Sequence, residues 1–139
     1  MAFLRVVPLT VFPLIIYNLL AAGFLGYGGI NYLNYDVISF SLASDALFHL
    51  KLSELIIAFA LILLFVELIK ATKFGAQTLL DHMISTVVFI VYLIEFISVF
   101  TAATPVFFLL TLIALLDVLA GIAISISSAR RDVAFGPNL

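Results

Sequence analysis

Residues 91–121 read "VYLIEFISVFTAATPVFFLLTLIALLDVLAG", and this stretch decides the fold. Two apolar runs meet at the short connection "TAATP", and each run extends far enough to cross a bilayer core of about 30 Å as a helix. Pro105 suits the first turn of the second helix, where a missing N–H costs nothing. So short a connection makes the two helices antiparallel neighbours. Each run carries a single acid, Glu95 in the first and Asp117 in the second.

The rest of the chain fits that environment. Of its 139 residues, 65% are hydrophobic and 10% are charged, with a mean hydropathy of +1.35. Soluble domains are about a quarter charged, so this composition belongs to a membrane protein. A net charge of −2 without a basic cluster argues against a nucleic-acid partner. The absence of cysteine excludes disulfides, thiolate metal sites and thiol nucleophiles.

Two further apolar runs complete the pattern. The sequence reads as an all-α polytopic membrane protein with one domain over residues 1–139. Transmembrane helices are expected at about 6–26, 53–71, 83–100 and 106–126, in an up-and-down bundle of four. The first run also has the outline of a secretory signal, with Arg5, an apolar stretch and then "LAAG", but is read as a retained span. Arg5, Lys70, Lys73, Arg130 and Arg131 fall on one side of such a bundle, and Lys51 alone on the other. The positive-inside rule then makes both termini cytoplasmic. The connector over residues 27–52 holds Tyr27, Tyr32 and Tyr35, which suit an interfacial aromatic belt. Its "SDALFHLK" is amphipathic enough to lie on the membrane or to cap the bundle.

Counting at 1.5 Å per residue from position 83, Glu95 falls roughly 15–18 Å deep, and Asp117 reaches a similar depth from the other direction. The two carboxyls are expected to face each other in a polar patch with Asn18 and Tyr92. No cation lies at that depth, so neutral, hydrogen-bonded acids are the expected state. Small residues at Ala114, Gly121 and Ser125, and at Ala22 and Gly26 beyond Asn18, are expected to let neighbouring helices approach closely. Glu67 lies one turn before Lys70, a favourable structural pair. His49 and His82 fall on opposite sides of the membrane, so they do not share a haem or metal. No phosphate loop, HExxH or Ser-His-Asp pattern occurs, and neither cofactor nor metal is expected. The first run has no acid where small multidrug transporters carry their key glutamate, and the chain lacks the cysteines of thiol-based membrane reductases.

These features favour a non-enzymatic accessory or assembly subunit of a complex in a bacterial-type inner membrane. Its expected partners are the lipid bilayer and other membrane subunits or copies of itself. The alternative is a proton- or cation-coupled small transporter or channel using Glu95 and Asp117, since acids inside a membrane often mark ion pathways.

Overall fold

The computed structural model describes residues 7–24, 26, 28–73 and 78–134. It is predominantly helical: α1 spans Val11–Ala21, α2 Leu52–Lys73, α3 Thr78–Ser98 and α4 Pro105–Ala134. Three stretches, Leu52–Thr72, Leu80–Ser98 and Pro105–Ser127, are long and apolar enough to cross a membrane. The end of the bundle where α2 starts and the α3–α4 connection lies is called the head below, and the opposite end the foot.

Helix α4 is central. It packs against both α2 and α3, while α1 rests on α2 and α4. Burial follows that order, with 44% of the α4 span covered against 28% in α2 and 17% in α3. The core consists of Tyr17 and Leu20 from α1, Ile56, Ala60 and Leu64 from α2, Val88 and Tyr92 from α3, and Phe107, Leu110, Ile113 and Ala114 from α4. Tyr17 meets Phe107 edge-on with ring centroids 4.8 Å apart, and Tyr92 flanks the same ring at 5.5 Å. The outward faces of the long helices carry exposed Leu, Ile, Val and Phe, as a lipid-facing surface should.

The first apolar run differs from the expected span over 6–26. Helix α1 has 11 residues, about 16 Å of rise, and is too short by itself to cross a bilayer. It stops because Gly23 takes a left-handed conformation (φ +80°). Gly23 N–H then donates to the Leu20 carbonyl and Phe24 N–H to that of Leu19, the paired bonds of a Schellman cap. Residues 1–6, 25 and 27 of this region lie outside the described residues.

The connector also departs from an all-helical reading. After a 3₁₀ turn over Gly29–Asn34, strands β1 (Asp36–Ser41) and β2 (Leu47–Lys51) pair antiparallel. From Ile38 in "DVISFS" and from Phe48 in "LFHLK" apolar and polar residues alternate with the period of a strand, and Asp45 takes the left-handed position of the turn (φ 61°). Strand β2 runs directly into α2, where Glu54 Oε2 accepts the Lys51 N–H at 2.9 Å.

Candidate functional site

The N-terminus of α1 ends inside the bundle, about midway along α4. A helix start leaves backbone N–H groups without partners, and its dipole attracts negative charge. Within a membrane such groups have to be satisfied by protein. One acid does so here, and a second takes a side-chain hydroxyl of the same segment. The Leu9 N–H donates to Glu67 Oε2 of α2 at 3.1 Å, and the Thr10 hydroxyl donates to Asp117 Oδ2 of α4 at 3.4 Å. The Thr10 carbonyl accepts the Tyr92 hydroxyl of α3 at 2.8 Å. Two consecutive residues therefore tie the first segment to all three long helices. Pro8, Thr10 and Pro13 are buried around this junction.

Glu67 and Asp117 are themselves buried, at 6% and 4% exposure. Lys70 Nζ stands 3.1 Å from both carboxylate oxygens of Glu67, which balances one charge. Ser85 of α3 also bonds Asp117. On the foot side lies a narrow cavity of about 10 Å³, on the scale of one water molecule. Its polar lining comes from Glu67, Lys70, Asp81, His82, Ser85 and Asp117. The His82 ring lies flat against Gly121, where a methyl group would collide with Nδ1, Cε1 and Cγ. Its Nε2 is buried without a hydrogen-bond partner among the described residues. Farther toward the head, Tyr92, Phe107, Leu110, Ile113 and Ala114 do not line the cavity and belong to the buried core.

A second polar point closes the head end. Tyr17 has one hydroxyl proton, which goes to the Thr101 carbonyl at 2.8 Å. Its oxygen therefore accepts from Thr104 Oγ1 at 2.7 Å, and that oxygen in turn accepts the Phe107 N–H at 3.2 Å, capping α4.

The residues singled out from the sequence are distributed differently from the expected patch. Asp117 and Tyr92 meet at Thr10. Glu95 lies elsewhere: α3 begins at Thr78, five residues before position 83, so Glu95 falls in the last turn of α3, near the head. Ser85, level with Asp117, is ten residues away along the same helix, a rise of about 15 Å. Glu95 is partly exposed, within electrostatic range of Tyr17 and Tyr92, and its carboxylate makes no hydrogen bond among the described residues. Among the described residues Asn18 bridges no helices but donates to the Leu14 carbonyl of its own helix at 3.1 Å. Ala22 and Gly26 do not form a helix face, because α1 has ended. Ala22 is its C-cap, and Gly26 sits in the following turn (φ +133°) against the Tyr32 hydroxyl. In α4, Ala114 is in the core, Gly121 accommodates His82, and Ser125 is half-buried.

Leu9 and Thr10 were missed, because a backbone N–H and a lone threonine in "VVPLT" carry no signal in hydropathy. Glu67 was legible as half of a pair with Lys70, but its bond to the first segment was not. The histidines occupy opposite ends: His49 is in β2, while His82 lines the foot cavity. Among the described residues, no group of three or more His, Asp and Glu is placed to hold a metal ion.

No protein-family model, curated protein or solved structure matches the chain. The fold and the composition define its class: a small, mostly helical protein with three helices long and apolar enough to cross a membrane.

Proposed function

We propose that this chain is an accessory or assembly subunit of a membrane complex in a bacterial-type inner membrane, with the Glu67–Asp117 cluster acting as a lock for its first segment. The observation that carries this reading is the small size of the polar cavity. It has room for about one water, and among the described residues Tyr92 and Phe107, on the head side of Asp117, are packed into the buried core. The acids are engaged with a helix start, not spaced along a path. The long helices leave most of their surface uncovered, α3 above all, which leaves room for other membrane subunits or copies of the chain. In this reading the first segment completes a fourth crossing, and both termini are cytoplasmic, in accord with the distribution of basic residues.

Extraction from native membranes in a mild detergent, followed by native mass spectrometry, tests the role. A discrete assembly of fixed stoichiometry containing the chain is expected, and recovery of the monomer alone would contradict it. A second reading, a proton- or cation-coupled transporter, draws on one observation: His82 Nε2, without a hydrogen-bond partner among the described residues, beside a cavity lined by Glu67, Asp81 and Asp117. In it Asp117 and His82 would exchange the proton, and Glu95, ten residues farther along α3 than Ser85, would serve only at the head.

A further inference from the structure

The β1–β2 hairpin has two unlike faces. Its register sets Ile38 opposite Leu50 and Phe40 opposite Phe48, with the two phenyl rings 5.3 Å apart. The alternate positions place Ser39 opposite His49 and Ser41 opposite Leu47. His49 Nδ1 lies 3.1 Å from Ser39 Oγ and 3.6 Å from Asp36, so the second face is internally bonded and mostly polar, with Leu47 at the turn end its one large apolar side chain in the paired register. The apolar face carries no charge and is uncovered, with Ile38 43%, Phe40 49% and Phe48 40% exposed. A two-stranded sheet is marginal in water unless such a face is covered.

The hairpin's position identifies the cover. No linker separates it from the membrane-crossing part: Lys51 is followed by Leu52, the first residue of α2. The Leu52 N–H donates to the Tyr35 carbonyl at 2.9 Å, and Glu54 caps Lys51, so the base of the hairpin is fixed to the head of a bilayer-spanning helix. The head also exposes Phe24, Tyr35 and Phe100 from three separate segments, Phe100 at 92%. Aromatic side chains gathered at one level mark the membrane–water interface.

We propose that the hairpin lies in the lipid interface at the head, with Ile38, Phe40, Phe48 and Leu50 turned to the acyl boundary and Ser39, Ser41 and His49 turned to water. The chain contains no tryptophan, so Phe40→Trp, Phe48→Trp and Ser41→Trp each create a single fluorescent reporter. The full-length protein is placed in phosphatidylcholine nanodiscs, which leave both faces open to solutes, and quenched in turn by lipids brominated high on the acyl chain and by iodide. The Phe40 and Phe48 reporters should emit to the blue of the Ser41 reporter and be quenched by bromolipid about twofold more, with iodide showing the opposite order. Equal iodide quenching of all three would overturn the proposal, because the hairpin would then stand in water. So would shielding of the Phe40 and Phe48 reporters from both quenchers, since protein, such as a second copy, would then cover the face.

Discussion

A carboxylate in the middle of a membrane protein needs donors, and the start of α1 supplies them to Glu67 and Asp117. Replacing Glu67 by Leu leaves the Leu9 N–H and the Lys70 ammonium without this acceptor. We expect a loss of about 1–3 kcal/mol, read from unfolding in mixed micelles, whereas Glu67→Gln should retain part of the bonding and lose less. Equal stability for Glu67→Leu and the parent would show that the lock holds nothing. Gly121→Leu should destabilise by about 1–3 kcal/mol, because any side chain there drives into His82. Combining Gly121→Ala with His82→Ala should cost less than the sum of the two, a non-additivity that identifies the contact. Additive losses would place the His82 ring elsewhere. The sequence revealed Asp117 as a buried acid, since one charge in a long apolar run has to face protein. It misplaced Glu95 because depth was counted from position 83, and a helix starting at Thr78 slides every residue toward its other end.

At the scale of elements, local chemistry decides where each helix stops. The run ending in "LAAG" is apolar throughout, so hydropathy extends it to residue 26, yet Gly23 ends α1 five residues after Asn18. The turn at 101–104 was legible from Pro105, and Thr104 adds the cap that the proline anticipates. Thr104→Ala removes both that cap and the bond to Tyr17, so it should lose about 1–2 kcal/mol, more than Tyr17→Phe, which leaves the cap in place. Thermal unfolding of the two variants in one detergent checks the order, and a larger loss in Tyr17→Phe would contradict the relay. The hairpin was not legible in the connector, read only as an interfacial segment, because its strands are only 6 and 5 residues long and the alternation in each is brief.

For the whole molecule, the three long apolar helices were legible from length and composition alone, while the half-length first helix was not, since its partners lie 58 and 107 residues away along the chain. Reporter fusions test the arrangement across the bilayer: those after Lys73 and after Leu139 should read cytoplasmic, and one at Asn34 external. An external reading after Lys73 would invert the orientation and remove the positive-inside argument. The central claim is that the buried acids lock the fold and do not conduct. Its most direct test is proton flux into proteoliposomes carrying the unmodified protein, under an imposed pH gradient and membrane potential. The expected flux equals that of protein-free vesicles, with Asp117→Asn changing stability and not permeability. Flux above the vesicle background that disappears in Asp117→Asn would contradict the account and establish the cavity as a proton site.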